Sequence, residues 1–230
     1  MLAARKPLLK PRLGTRGRPL ETRAAILKAA ISEFGREGVA GARTDAIARS
    51  AKVNKALLYY YFKDKEALYG AVLDHVFSGL SERVQEALSR DLPVREKYLA
   101  YVGAHFDYIA SNPLLPGVLM REWMRAGRTR SPHIRRVVEQ YLRPTFMRLS
   151  GLIREGIASG DFRMVDPLQF IPSSVALVVF YFAAMPVISQ MMPDDPLSPE
   201  RIALRRAAVL DFVSAALFVP GKKTQQGGAL

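Results

Sequence analysis

Between positions 55 and 65 the chain reads KALLYYYFKDK, setting three ammonium groups (Lys55, Lys63, Lys65) around three consecutive phenols (Tyr59, Tyr60, Tyr61). Ammonium and phenol both donate hydrogen bonds to anionic oxygens, the phenol without charge and with a ring that can pack on a sugar. The chemistry on offer is the holding of phosphate oxygens. Catalytic constellations are missing by comparison: there is no GxSxG, P-loop or GxGxxG, and no carboxylate pair stands out. His75, His105 and His133 lie far apart without HxxxH or HExxH spacing, which argues against a metal site. With no cysteine in 230 residues, disulfides and thiolate chemistry are excluded, as fits a reducing compartment. No enzyme activity and no cofactor are expected.

Charge points the same way. Residues 1 to 65 hold 15 Lys/Arg against 5 Asp/Glu, a net of +10, whereas residues 66 to 230 hold 19 against 16, a net of +3. A basic excess at one end suits a polyanionic partner or a merely solvated basic surface. Hydrophobic residues make up 49% of the chain, enough for a real core. The start, MLAARKPLLKPRLGTRGRP, lacks an apolar stretch of signal-peptide length, so a cytoplasmic location is expected.

The elements that must position the phenols read as helices. Leu27, Ala30, Ile31 and Phe34 form an i, i+3, i+4, i+7 stripe, with Arg23, Lys28, Glu33 and Arg36 opposite, and Gly38 closes that helix. Thr44 opens a short helix to about Ala51, its hydroxyl a candidate cap, and Asn54 caps another through Phe62. Two short helices so joined have the proportions of a helix-turn-helix. On a helical wheel Leu58 and Phe62 define the inward face. Ala56, Leu57 and Tyr60 then face outward, with Tyr59 and Tyr61 on the flanks. Such a helix can pack its aromatics on neighbouring helices. It can also lie in a DNA major groove, with Ala56, Leu57 and Tyr60 toward bases, Tyr59, Tyr61, Lys63 and Lys65 toward phosphates, and Lys55 toward a phosphate or a guanine. The helix N-termini opened by Thr44 and Asn54 add attraction for anions.

The stretch TDAIARSAKVNKALLYYYFKDKEALY strongly resembles the DNA-binding segment of the TetR/AcrR family of bacterial regulators. Its marks are Thr44, Ile47-Ala48, the Lys52-Val53-Asn54 turn, Leu58-Tyr59-Tyr60-Tyr61-Phe62 and Lys65-Glu66-Ala67-Leu68. Lys52 stands where the family usually has glycine, Ala56-Leu57 where Gly-Thr or Gly-Ser is common, and Asp45 where some members place a base-reading arginine. The resemblance covers residues 20 to 70. It implies an all-α dimer in which an N-terminal three-helix domain binds a palindromic double-stranded DNA operator. A larger helical domain would hold a hydrophobic or amphipathic small-molecule effector, and the default activity would be repression. A non-sequence-specific nucleic-acid binder and an enzyme on a helical scaffold are the alternatives.

The expected organisation is a basic arm at 1–19, the DNA-binding domain at 20–65, the effector and dimerisation domain at 66–218 and a tail at 219–230. In the arm, Arg16-Gly17-Arg18-Pro19 resembles the core of an AT-hook, so Arg16 and Arg18 either enter an A·T minor groove or contact phosphates diffusely. Effector contacts are expected among Tyr101, Phe106, Tyr108, Met120, Arg121, Trp123, Met124, Met147 and Phe170. Phe170 to Met192 contains no charged residue, but Pro172, Pro186 and several polar residues interrupt it. Burial in a homodimer interface with the Ile202-to-Phe218 helix accounts for it better than a membrane span. Pro144, Pro172 and Pro186 are expected to kink or offset their helices.

Overall fold

Gly38 adopts φ 67° and ψ 175°, a backbone that side chains resist, and there the first helix breaks its geometry before a last turn. That helix, α1 (Pro19–Gly41), belongs to unit 1 of the two compact units, which divide between Val72 and Leu73. The structure, a computed structural model, describes residues 19–126 and 132–221. In unit 1, α1 is followed by α2 (Thr44–Ser50), α3 (Lys55–Tyr61) and the start of α4 (Lys65–Leu88). Ile26, Ala30, Phe34, Ile47, Leu58 and Leu68 are almost wholly buried and form its core, with Phe34 and Tyr69 in edge-to-face contact. Glu33, placed on the polar face by its periodicity, is instead 8% exposed. Its carboxylate accepts the Arg43 backbone N–H at 3.1 Å, satisfying a donor at the start of α2.

Unit 2 is helical too, and side chains cap the starts of two of its helices. It comprises the rest of α4, then α5 (Val94–Ala110), α6 (Leu115–Ala126), α7 (Pro132–Val137) and a π-helical turn (Val138–Leu142). There follow α8 (Arg143–Ala158), α9 (Pro167–Ala183), α10 (Met185–Met191) and α11 (Pro199–Leu217). Asp166 accepts from Leu168 N–H at 2.9 Å and Ser198 from Arg201 N–H at 3.4 Å, each ahead of a proline in the first turn. The π turn has a local cause. Pro144 has no N–H to return to the preceding turn, and the Arg143 N–H reaches back five residues to the Val138 carbonyl.

Tyr98 centres the core of unit 2, its hydroxyl 3.3 Å from that of Ser174 and its ring against Tyr101, Phe162 and Phe170. At Gly156 an added Cβ would come 2.3 Å from the Phe162 ring, so only glycine lets α8 sit this close to it. The C-terminal end of α11 is tied down beside it by Arg163 N–H to the Leu217 carbonyl (2.8 Å) and Val219 N–H to that of Asp161 (3.0 Å). Pro172 lies inside α9, while Pro186 opens α10 after a 68° bend from α9. Among the described residues no single helix is long and apolar enough to cross a membrane.

Candidate nucleic-acid interface and buried cavity

The turn between α2 and α3 is built by its backbone. Val53 N–H reaches the Ala48 carbonyl at 2.9 Å and Lys52 adopts φ 57°, the left-handed close of a Schellman-type helix end. Asn54 then starts α3, its Oδ1 accepting the Leu57 N–H at 2.7 Å. Thr44 does not cap α2. Arg43 holds that position, and the Thr44 hydroxyl lies 3.2 Å from the Tyr59 hydroxyl instead, linking the two helices.

On α3 the side chains divide sharply. Tyr60 is 76% exposed, and Asn54, Lys55, Ala56 and Tyr59 are also exposed, whereas Leu58 and Phe62 are buried. Leu57 is 2% exposed, so it faces the core and is not available to a groove. The physical reason is that a helix with neighbours on two sides buries a wide arc, here Leu57, Leu58 and Phe62, rather than the narrow one between Leu58 and Phe62. Tyr61 is half-buried at the edge of that arc and meets Tyr60 edge to face at 5.4 Å. The Lys55 ammonium lies 3.0 Å from the Asp45 carboxylate, and that hydrogen bond raises its pKa. The Lys65 ammonium donates to the Ala40 and Ala42 carbonyls at 3.3 and 3.2 Å, pinning the end of α1.

Unit 2 contains a cavity of about 240 Å³ walled by α4, α5, α8, α9, Leu119 of α6 and the π turn. Phe77, Leu80 and Val84 come from α4, Tyr101 and His105 from α5, Tyr141 and Leu142 from the π turn. Phe146 and Leu149 come from α8, and Ile171, Val175 and Val179 from α9. Among the described residues no Asp, Glu, Lys or Arg lines it. The His105 imidazole stacks on Tyr101 with centroids 6.2 Å apart, and burial lowers its pKa to about 4, so it is neutral near pH 7. Among the described residues no cluster of His, Asp and Glu is arranged to hold a metal ion.

Two family profiles match the chain: "Bacterial regulatory proteins, tetR family" over residues 26–72 and "Tetracyclin repressor-like, C-terminal domain" over residues 95–213. The chain belongs to the tetR family. That is a family of helix-turn-helix transcriptional regulators and not of enzymes. Among curated relatives it is 36% identical over 126 residues to the HTH-type transcriptional repressor SCO4008 of Streptomyces coelicolor, covering 54% of this chain and 62% of that protein. It is 33% identical over 141 residues to the repressor NicS of Pseudomonas putida, covering 61% and 63%. The chain thus spans under two thirds of the length of these relatives. A crystal structure of SCO4942, a candidate transcriptional regulator of Streptomyces coelicolor, superposes with TM-score 0.63 at 27% identity, covering 84% of this chain and 97% of that one.

In this tetR-family chain the effector residues expected from sequence scatter. Of the named candidates Tyr101 lines the cavity. Phe106 is fully buried against Phe182, Tyr108 donates to the Val76 carbonyl, and Phe170 packs on Tyr98. Met120 is half-buried and Arg121 exposed, neither lining the cavity, while Met124 and Met147 are 68% and 61% exposed. The Trp123 side chain lies outside the described residues, as do Arg16 and Arg18. His105 was missed, although it follows Tyr101 by four residues and so shares its helix face.

Proposed function

We propose that this chain is a dimeric transcriptional repressor that binds an inverted-repeat operator and is released by a small molecule entering the cavity of unit 2. The observation that carries the reading is α4. Its first turns contribute Leu68, Tyr69 and Val72 to buried positions in the DNA-binding unit, and its later turns give Phe77, Leu80, Ser81 and Val84 to the cavity wall. A ligand that repacks those later turns acts on the same helix whose first turns belong to the DNA-binding unit. Lys55, Ala56, Tyr59 and Tyr60 offer donors and one small apolar surface to a major groove, with Asn54 fixing the start of the helix. Thr44, Lys55, Tyr61 and Lys65 would serve the phosphate walls, and Arg16 and Arg18 the adjacent minor groove or phosphates.

The relatives SCO4008 and NicS are repressors, which favours repression here. Dimerisation through α9 and α11 is supported by apolar groups those helices leave in water: Leu168 and Phe180 on α9, Leu204 and Phe212 on α11, all more than half exposed. A DNA partner favours a cytoplasmic location. Selection of genomic DNA fragments by the purified protein, followed by footprinting, tests the reading. A protected inverted repeat about two helical turns long is the expected result, and retention of all fragments without a footprint sinks it.

A further inference from the structure

Tyr101 and His105 are the two cavity residues that combine a polar side chain with near-complete burial, 3% and 5% exposed. Neither the phenol nor the imidazole hydrogen-bonds another described residue, and both remain open to the cavity. Buried polar groups are rarely left this way, because each lost its hydrogen bonds to water on folding. Around them the wall is mostly aliphatic and aromatic, with Phe77, Leu80 and Val179 among its members, and no charged side chain reaches it among the described residues.

We propose that the effector is an uncharged, largely apolar molecule carrying one oxygen, which accepts a hydrogen bond from the Tyr101 hydroxyl with the His105 imidazole alongside. This rests on the effector-gated reading above and narrows it to a ligand class. A carboxylate would find no cation among the described residues of the wall. It would have to charge His105, an imidazole that burial holds neutral down to about pH 4. An ammonium would find no carboxylate. Either ion would leave its hydration shell without a partner. A ketone, ester or lactone oxygen takes the waiting phenol proton, and the remaining imidazole N–H or lone pair serves a neighbouring polar atom or an ordered water.

The test is calorimetric titration of the full chain at pH 7.5 with four matched probes: octan-2-one, octane, octanoate and octylammonium. The ketone should bind at least about tenfold tighter than either ion, because its one polar atom finds a partner in the site and an ion's charge does not. Tyr101→Phe should weaken ketone binding about tenfold, since its oxygen is left without a donor, while leaving octane binding intact, which shows that the cavity still forms. An ion binding within tenfold of the ketone overturns the proposal. So does an equal loss for ketone and octane in Tyr101→Phe, or failure of all four probes to bind. The same titrations repeated with operator DNA separate the two readings. A ketone that binds as described but leaves operator affinity unchanged counts against effector gating and not against the ligand class.

Discussion

Lys55 on α3 and Asp45 on α2 are joined by an ion pair of 3.0 Å on the exposed face of the helix-turn-helix. Both side chains are about half exposed, so the pair adds little to folding. Its consequence lies in binding, where it neutralises a cation and sets a carboxylate beside the DNA. Asp45→Asn should therefore raise affinity for DNA of any sequence. It should also steepen the dependence of log K on log salt by roughly 0.9, as Lys55 gains one phosphate. Filter binding at several salt concentrations checks this, and an unchanged slope would mean that Lys55 does not meet phosphate.

Leu57 and Tyr60 should respond oppositely to truncation. With Leu57 buried in the core of unit 1, Leu57→Ala should cost about 2–4 kcal/mol of stability, through lost burial and the cavity left behind. Its selected DNA sites should stay the same. Tyr60 is 76% exposed, so Tyr60→Ala should leave stability within about 0.5 kcal/mol while weakening operator binding about tenfold, as loss of one good groove contact does. Urea unfolding and operator titration on both variants decide it. A Leu57→Ala protein of full stability with altered site preference would restore that side chain to the reading face.

What the sequence made legible follows from how local each signal is. Period and caps are local, so the Leu27–Phe34 stripe, the Gly38 break and the Asn54 cap could be read directly. Glu33 and Leu57 could not, because their burial depends on which elements lie on each side of them and not on their own helix. Among the expected effector residues Tyr101 lines the cavity, and others lie away from it for the same reason. Met124 and Met147 look like cavity lining by type, but helix rotation turns them to solvent. The π turn that brings Tyr141 to the cavity arises from Pro144, a residue whose sequence signal says only that a helix will be disturbed.

Lys52 holds a left-handed backbone that costs an ordinary residue roughly 1–2 kcal/mol, partly offset by the extra entropy that glycine loses on folding. Lys52→Gly should raise stability by up to about 1 kcal/mol, and Lys52→Val, whose branched Cβ fits this region worst, should lower it by more than about 1 kcal/mol. Equal melting temperatures for the two variants would mean that the turn relaxes out of this conformation.

Phe180 and Phe212 are 69% and 58% exposed on α9 and α11. If these helices pair with those of a second copy, Phe180→Glu combined with Phe212→Glu buries unpaired carboxylates at the contact. Sedimentation should then show a monomer at concentrations where the wild type is a dimer, and operator affinity should fall with it. A double variant that still sediments as a dimer moves the interface elsewhere.

His105 supplies a pH dependence whose sign follows from its pKa, about 4 in the fold against an ordinary 6.5. Because the folded value is depressed, the unfolded chain takes up a proton that the folded chain refuses. The stability tied to the neutral imidazole is fully present above about pH 6.5. It is lost as pH falls from there toward 4, and levels off below. The span amounts to about 3 kcal/mol at most, from 1.36 kcal/mol per pKa unit. His105→Phe keeps a ring against Tyr101 and removes the titration, so the variant should lose less stability than the wild type between pH 7 and pH 4.5. Carboxylates elsewhere titrate equally in both proteins and cancel in the difference. Urea midpoints for the two proteins at pH 7, 6, 5 and 4.5 measure it, and parallel curves would mean that His105 takes its proton freely in the folded chain.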